Sequence, residues 1–320
     1  MSQSILKMEQ IVKSFGAVNV LKGVDFDLAK GEVHALVGGN GAGKSTTMNM
    51  MTGYLGATKG EILIEGYDIL KNPKKAKKHI GYLPEIPPLY VDMKVKEYLT
   101  FAAKLKGIPK KEVSHSVEEV MEKTGISDVS HRLIRNLSKG FRQRVGLAQA
   151  ILGFPKIIIL DEPTVGLDPK QIIEIRELIR DLSKEHTVIL SSHILAEVRE
   201  LCDYIFIISK GKMVASDTPE NLERLMQKGE SVEIFTTSQR ARVEDILLEI
   251  EDVESVSFEE REDGTCARIE AKEGKDIREE IFFAFAGERC PLLELRMTKP
   301  TLEDVFLELT EGGKDNGGDL

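Results

Sequence analysis

Apolar and polar residues follow two different periods in the first half of the chain. Residues 5–70 alternate in short runs separated by glycine-containing turns, which predicts a small antiparallel sheet. Residues 92–150 follow a period near 3.6 in stretches such as VKEYLTFAAKLKG and SVEEVMEKTGI, which predicts a mostly helical arm. Together with the parallel core described next, the two patterns predict a three-layer α/β domain with a helical arm.

Three apolar runs without alternation have the length of buried strands. They lie in GEVHALV at 31–37, in IIIL at 157–160 and in TVILSS before His193. Continuous apolar runs are typical of parallel strands that are covered on both faces by helices. These runs predict the parallel core sheet of an α/β domain.

The pattern changes again after residue 230. The predicted elements are strand 231–236, helix 240–250, strand 254–261, strand 265–271, helix 275–287, strand 291–298 and helix 301–310. The leading βαββαβ order suggests a ferredoxin-like α+β sandwich. The sequence therefore predicts a domain at 1–230, a small accessory domain at 231–310 and a disordered tail at 311–320.

Charge changes at the same point of the chain. Residues 231–320 hold 11 Lys and Arg against 24 Asp and Glu, whereas residues 1–230 hold 33 against 29. The change supports a domain boundary, and the acidic segment argues against nucleic acid as its partner. The lysine run KNPKKAKKH at 71–79 is interpreted first as a solvated helix face, with anionic lipid or nucleic acid as the alternative ligand.

Composition favours a cytoplasmic protein. No apolar run approaches the ~20 residues of a membrane-spanning helix, and the first ten residues lack the apolar core of a secretion signal. Cys202, Cys266 and Cys290 are far apart and show no metal-site or redox spacing, so we expect reduced thiols.

A glycine-rich loop follows the first buried run. The segment from Gly38 to Ser45 fits G-x-x-x-x-G-K-[ST], and helix-forming residues come directly after it. Glycines let the backbone wrap round a polyphosphate so that N–H groups and a helix N-terminus point at the anion. The residues predicted to bind ATP here are Gly38, Gly39, Asn40, Gly41, Ala42, Gly43, Lys44, Ser45 and Thr46.

Two carboxylates end the second buried run. Asp161 and Glu162 follow Leu160, at the carboxyl end of a predicted parallel strand. In a nucleoside triphosphatase, Asp161 would hold the Mg²⁺ shell, and Glu162 would orient or activate the attacking water. Lys44 would reach the β and γ phosphates, and Ser45 would place its hydroxyl on Mg²⁺.

Further motifs give the chain a family resemblance. LSKGFRQR at 137–144, TVGLDP at 164–169 and His193, 31 residues after Glu162, stand in the order found in ATP-binding-cassette (ABC) ATPases. The chain resembles that family over about residues 5–230. With GYLPEIPPLY and the ending TKPTLEDVFLELTEG, it is similar to the ATPases of type-two ABC exporters, in which a C-terminal accessory domain is common.

The resemblance assigns expected roles to the signature segment and the segment after it. Ser138, Lys139, Gly140 and Gln143 would face the ATP of a partner protomer, and Asp168 would belong to the D-loop. A serine before a helix is also a good N-cap in its own right. A single chain would then hold only part of each ATP site, and hydrolysis would require a dimer.

Three other positions take expected roles from the resemblance. Phe15 matches the adenine-stacking aromatic residue, with a place in a strand core as the alternative. His193 would sense the γ-phosphate and act in catalysis with Lys44 and Glu162. Glu85 stands where the family commonly has a glutamine that touches the metal and senses the membrane partner.

The expected metal site therefore consists of Ser45, Asp161 and Glu85. Glutamate at position 85 adds a negative charge to the site, so metal affinity and pH dependence are expected to differ from those of the glutamine type.

The expected function is that of an ATP-hydrolysing subunit, with ATP and Mg²⁺ as cofactors, that powers a membrane exporter from the inner face of the cell membrane. Its expected partners are multi-span permease subunits and a second copy or a homologous ATPase. The alternative is a soluble ABC ATPase acting on ribosomes or DNA, which would favour two cassettes or a long coiled-coil insertion. A nucleotide-binding regulator is a third and weaker hypothesis, since Glu162 and His193 are both present.

Overall fold

The computed structural model of the protein describes residues 4–225, 231–261, 263–272, 275–298 and 301–311. The predicted boundary after residue 230 adjoins residues 226–230, which lie outside the described part. The predicted tail also lies outside it, apart from residue 311, which belongs to the last helix rather than to a tail.

Strands and helices alternate along most of the chain. The strands are β1 Ser4–Phe15, β2 Val18–Ala29, β3 Val33–Val37, β4 Lys59–Ile64, β5 Tyr67–Asp68, β6 Ile80–Leu83, β7 Ile157–Asp161, β8 Thr187–Ser192, β9 Tyr204–Ser209, β10 Lys212–Asp217, β11 Ser231–Thr236, β12 Val253–Arg261, β13 Gly264–Ala271 and β14 Glu294–Thr298. The helices are α1 Lys44–Met51, α2 Pro73–Lys77, α3 Val95–Leu105, α4 Val113–Lys123, α5 Lys139–Ile151, α6 Pro169–Ser183, α7 Leu195–Leu201, α8 Pro219–Leu225, α9 Arg240–Leu248, α10 Arg278–Gly287 and α11 Leu302–Glu311.

The chain divides into two compact units. The first comprises Met1–Pro219 with Leu309–Leu320, and the second comprises Glu220–Glu308. The domain limits expected from the sequence, at residues 230 and 310, stay predictions.

A six-stranded sheet forms the centre of the first unit, in the order β10-β9-β3-β8-β7-β6. The strands from β9 to β6 run parallel, and β10 is antiparallel at the edge. β3, β7 and β8 are the three apolar runs, and each is buried along its whole length. The predicted α/β core is confirmed, and the carboxyl ends of these three neighbouring strands meet at one edge.

A smaller antiparallel sheet of the same unit has the order β2-β1-β4-β5. The buried faces of its strands share one core with the methionines of α1, among them Met48 and Met51. The predicted helical arm is present as α3, α4 and α5. The antiparallel sheet and the helical arm that the residue pattern predicts for this part of the chain are thus confirmed.

The second unit contains a four-stranded antiparallel sheet in the order β12-β13-β11-β14, with α9 and α10 between its strands in sequence. Ile234, Ile269 and Phe285 lie in its core. This order confirms the predicted ferredoxin-like arrangement. α10 begins three residues later than predicted, at Arg278, because an Asp276 carboxylate oxygen accepts the Arg278 backbone N–H at 3.2 Å and closes a turn there.

No helix of the described residues is long and apolar enough to cross a membrane. The three cysteines are buried and form no disulfide, as the sequence predicts.

Candidate functional site

The glycine-rich loop joins the end of β3 to the start of α1. Gly41 and Gly43 have φ of +76° and +116°, in the left-handed region that favours glycine. A Cβ on Gly43 would lie 2.7 Å from Leu21 Cδ2, and one on Gly38 would lie 2.5 Å from the Ile208 carbonyl oxygen. Backbone conformation and close packing therefore explain these three glycines, whereas the surroundings of Gly39 are open.

Lys44 lies inside this loop rather than out in solvent. Its side-chain Nζ donates hydrogen bonds to the carbonyl oxygens of Gly38 at 2.7 Å and Gly39 at 3.4 Å, and the residue is only 9% exposed. The loop thus holds a cation beside the N-terminus of α1. Helix N-termini and ammonium groups both attract phosphate oxygens.

A cleft of about 450 Å³, which we call the P-loop cleft, opens over the loop. It is lined by Val20, Gly39, Asn40, Gly41, Gly43, Lys44, Ser45, Thr46, Glu85, Glu162, Val165 and His193. The fold therefore brings together predicted residues from four separate segments of the chain. Among the residues expected to bind ATP or metal within one chain, four do not line the cleft: Gly38, Ala42 and Asp161 are buried, and Phe15 is exposed.

Ser191 connects the two carboxylates at the end of β7. Its hydroxyl donates to Asp161 Oδ1 at 2.6 Å and accepts the Glu162 backbone N–H at 2.9 Å. Parallel pairing of β7 with β8 sets Ser191 directly beside Asp161. Ser191 was not among the predicted site residues, although its place two residues before His193 was an available signal.

Glu162 turns from the strand towards the P-loop cleft. Its φ of +47° is uncommon for a residue with a Cβ, and five other non-glycine residues of the described chain share such an angle outside the cleft. Its Oε2 lies 2.8 Å from His193 Nδ1 in a hydrogen bond. The Glu162 side chain is 13% exposed and the His193 side chain 55% exposed, so the pair stands at the open side of the cleft.

The oxygen groups of the cleft suit a hard cation such as Mg²⁺. Ser45, Glu85 and Glu162 supply a hydroxyl and two carboxylates, while Asp161 is held behind them by Ser191. Within the described ranges, His, Cys, Asp and Glu form no cluster of three that could hold a metal by itself. Mg²⁺ usually takes only one or two protein ligands and fills its shell with phosphate and water, so this donor set fits Mg²⁺ bound with ATP.

Phe15 is not a lining residue of the P-loop cleft. It ends β1 with 48% of its surface exposed, and the Lys13 ammonium lies 4.9 Å from its ring centroid. Val20, on the next strand, lines the cleft instead. Val20 was not among the predicted site residues, because an apolar residue in a strand carries no signal of binding.

The signature residues border a different cavity, which we call the signature cavity. It has a volume of about 300 Å³ and is lined by Gly125, Ser138, Gly140, Phe141, Arg144, Gln171, Glu174 and Ile175. Ser138 caps α5 by accepting the Phe141 N–H at 3.3 Å, and Asp168 caps α6 by accepting the Gln171 N–H at 2.9 Å. The signature and the D-loop thus adjoin each other.

Two signature residues differ in exposure. Lys139 is exposed, as a contact with a second protomer requires. Gln143 is only 5% exposed, and its expected role towards the ATP of a partner protomer stays a prediction.

The lysine run at 71–79 is partly neutralised within the fold. Lys71 Nζ lies 2.9 Å from a Glu61 carboxylate oxygen and 2.8 Å from an Asp68 carboxylate oxygen. The hydrogen bond from Lys71 lowers the pKa of Asp68 to about 2. These contacts fit the interpretation of this run as a solvated face.

Comparisons with known proteins agree with this geometry. The family described as ABC transporter matches residues 21–165. The bacitracin transport ATP-binding protein BcrA of Bacillus licheniformis is 33% identical over 312 residues, which cover 97% of this chain and 98% of BcrA. The lantibiotic transport ATP-binding protein SrtF of Streptococcus pyogenes is 37% identical over 225 residues, covering 69% of this chain and 95% of SrtF.

A solved structure of an ATP-binding subunit of an ABC transporter is also similar. It superposes with a TM-score of 0.63 at 32% identity, and the match covers 69% of this chain and 93% of that one.

Proposed function

We propose a function from the premise that this chain belongs to the ABC transporter family of ATP-binding proteins. The chain is an ATP-binding ATPase of that family. The proposed task is to power a membrane exporter through closure of a dimer that holds ATP between its protomers. The relatives named for bacitracin and lantibiotic transport support a transporter and do not favour a soluble ATPase of ribosomes or DNA.

The residues of the P-loop cleft divide the chemistry among them. Lys44 and the backbone N–H groups bind and orient the phosphates, and the Ser45 hydroxyl contributes to the metal shell. Bound Mg²⁺ neutralises developing charge on the phosphate oxygens. Glu162 accepts a proton from, or orients, the attacking water, while His193 holds the Glu162 carboxylate in place and faces the γ-phosphate.

One observation carries the dimer proposal: the signature residues are absent from the lining of the P-loop cleft and border the signature cavity instead. The Ser138 end of α5 presents backbone N–H groups and a positive helix end to a second molecule. A second protomer would therefore complete each cleft. ATP favours the closed pair because it contacts both protomers, and hydrolysis removes part of those contacts.

The surface beside Glu85 is the proposed contact for the membrane subunit. Ile86 is 82% exposed and Tyr90 is 58% exposed, and the Tyr90 ring lies edge-on to Phe101 of α3 at 5.6 Å between centroids. Tyr98, also on α3, donates a hydrogen bond from its hydroxyl to Gln149 of α5. Displacement at this surface would thus reach the helix that begins with the signature.

The proposed location follows from these partners. The chain would be cytoplasmic and bound to the inner face of the cell membrane through multi-span permease subunits. A homodimer is the simplest assembly, because one chain carries both half-sites.

A mixing experiment tests the composite site. Glu162→Gln removes the proposed base from one chain, and Ser138→Arg blocks the signature of another. Each variant alone is expected to be nearly inactive. A one-to-one mixture should recover about a quarter of the wild-type rate, because half of the randomly formed dimers carry one intact site of two.

A control separates recovery from simple averaging. A mixture of Glu162→Gln with a chain that carries both substitutions has no intact composite site and should stay inactive. Recovery in that control, or none in the first mixture while both variants still dimerise with ATP, would contradict the composite site.

A further inference from the structure

Helix α10 of the second unit carries large apolar side chains on its solvent-exposed side as well as on its buried side. Residues 281–287 read IFFAFAG, and Ile281 and Phe285 are fully buried against the sheet. Phe282 and Phe283 are nevertheless 55% and 67% exposed, with their rings edge-on at 5.4 Å between centroids. A helix that is apolar on its outer side as well as its inner side is usually covered by another surface.

Helix α9 extends this apolar surface. The Arg242 guanidinium, near the start of α9, donates to the Glu288 carbonyl oxygen just after the end of α10, at 2.6 Å. α9 joins β11 to β12 and α10 joins β13 to β14, and the two strand pairs run in opposite directions, so the two helices run antiparallel and α9 ends on the side where α10 begins. Leu248, the last residue of α9, is 74% exposed at that end.

Carboxylates accompany each exposed apolar side chain. Glu279 and Glu280 stand one helical turn before Phe282 and Phe283, and Glu244 and Asp245 stand one turn before Leu248. All four acids are exposed, and none has an ion pair with another side chain in the part of the chain that the structure describes. We call these three apolar residues and four acids the α9–α10 face.

We infer that the α9–α10 face binds a Lys- and Arg-rich amphipathic segment of the membrane subunit, an inference that rests on the proposed function. Cytoplasmic segments of membrane proteins are rich in Lys and Arg near their membrane-spanning helices. Exposed carboxylates pair with such cations, and the faces of Phe282 and Phe283 attract cations and apolar side chains alike.

Charge decides against the other occupants. A second copy of this face would bring four carboxylates of each protomer together. Nucleic acid and anionic lipid headgroups are repelled by the same groups. A cationic amphipathic protein segment is the partner that can contact the phenylalanine rings and also pair with the carboxylates.

Binding to native membranes tests the inference. Inverted membrane vesicles are prepared from the native organism after the gene for this chain has been deleted. Purified chain is then added to these vesicles and, in parallel, to liposomes made from their extracted lipids. Wild type should bind the vesicles and not the liposomes. Glu279→Lys with Glu280→Lys, and separately Phe282→Ser with Phe283→Ser, should raise the half-saturating concentration by about tenfold or more.

The matched control carries the same charge change elsewhere in the unit. Glu254→Lys with Glu294→Lys alters two exposed acids on the edge strands β12 and β14, and should bind vesicles within about twofold of wild type. Basal ATPase activity should be unchanged in all variants, which also verifies folding.

The outcomes separate this inference from the proposed function. Wild type that fails to bind the vesicles contradicts the membrane partner itself. The role of the α9–α10 face alone is overturned if wild type and face variants bind the vesicles equally well. It is also overturned if wild type binds the liposomes as well as the vesicles. A face variant that changes only the sedimentation of the free protein identifies a second copy as the occupant and also overturns it.

A cross-link identifies the bound segment. A photoreactive phenylalanine analogue at Phe283 should form a product with a basic cytoplasmic segment of the membrane subunit, read by mass spectrometry. The same analogue at Ser257, an exposed residue of β12, should not. A product with lipid, or with an acidic segment, contradicts the inference.

Discussion

Glu162 shows how one backbone angle places a reactive group. Its left-handed conformation costs on the order of 1–3 kcal/mol. Ser191 helps to hold that conformation by accepting the Glu162 N–H, and His193 fixes the carboxylate at 2.8 Å. Both contacts come from the protein itself, so less ordering of this side chain is required at the moment of reaction.

Glu162→Gln should lower the turnover number for ATP by about 10²-fold or more, because the amide neither accepts a proton nor orients water as a carboxylate does. ATP binding should survive, as measured by equilibrium titration with a fluorescent ATP analogue. Lys44→Ala is the contrasting variant and should weaken binding itself. Unchanged turnover in Glu162→Gln would remove Glu162 from the reaction.

Ser191→Ala should lower turnover by about tenfold. Asp161 loses the hydrogen bond that the Ser191 hydroxyl donates, and the Glu162 backbone N–H loses its acceptor. Ser191→Thr keeps the hydroxyl and should retain most of the activity. Steady-state kinetics at several Mg²⁺ concentrations will separate a metal effect from a rate effect. Equal turnover in the alanine and threonine variants would show that the hydroxyl has no role.

Residue type and spacing predicted most of the lining of the P-loop cleft, because phosphate chemistry leaves few choices for a loop that ends in Gly-Lys-Ser. Val20 and Ser191 escaped prediction for a different reason. Their roles depend on which strands become neighbours, and an apolar or hydroxyl residue in a strand looks like many others. Phe15 ends β1 outside the lining of the cleft, and its expected stacking on adenine stays a prediction.

At the scale of the element, β3 carries a buried histidine into the core sheet. His34 is 1% exposed, its Nδ1 has no hydrogen-bond partner within the described residues, and its ring lies 5.9 Å from that of Phe206. Burial lowers the pKa of His34 below its usual 6.5, although the Ala29 carbonyl oxygen and the carboxylates of Asp203 and Asp27 act in the opposite direction.

This shift predicts a loss of stability in acid. Below about pH 6.5 the unfolded chain binds a proton at His34 that the folded chain does not, so the free energy of unfolding falls until the folded pKa is reached. His34→Leu should flatten this part of the pH profile. Urea denaturation between pH 7 and pH 5 measures it, and identical slopes in wild type and variant would contradict the assignment.

Element type was predictable from β11 to α11, because the strands alternate and the helices have buried faces, whereas α8 was not predicted. The first and last residues of the helices were less predictable. α10 starts at Arg278, where Asp276 closes a turn, and α9 ends at Leu248 rather than at residue 250. Such ends depend on single hydrogen bonds, which the apolar pattern does not record.

At the scale of the whole molecule, the proposed dimer mechanism rests on the division of parts between the P-loop cleft and the signature cavity, and it makes hydrolysis a property of pairs. The rate per chain should therefore fall on dilution and level off at high concentration, with a midpoint that reports the dissociation constant of the ATP-bound dimer. ATPase assays over a thousandfold range of concentration will test this. A constant rate per chain, with sedimentation showing monomers, would exclude the dimer mechanism.

The buried thiols have a practical consequence for following that dimer. Cys202, Cys266 and Cys290 are at most 6% exposed, and burial raises the pKa of the Cys202 thiol well above its usual range. The natural chain also lacks tryptophan. A cysteine introduced at an exposed position such as Tyr54 will outcompete the native thiols for a maleimide fluorophore. With donor and acceptor fluorophores on separate chains, energy transfer can then measure the approach and separation of the protomers of the proposed dimer.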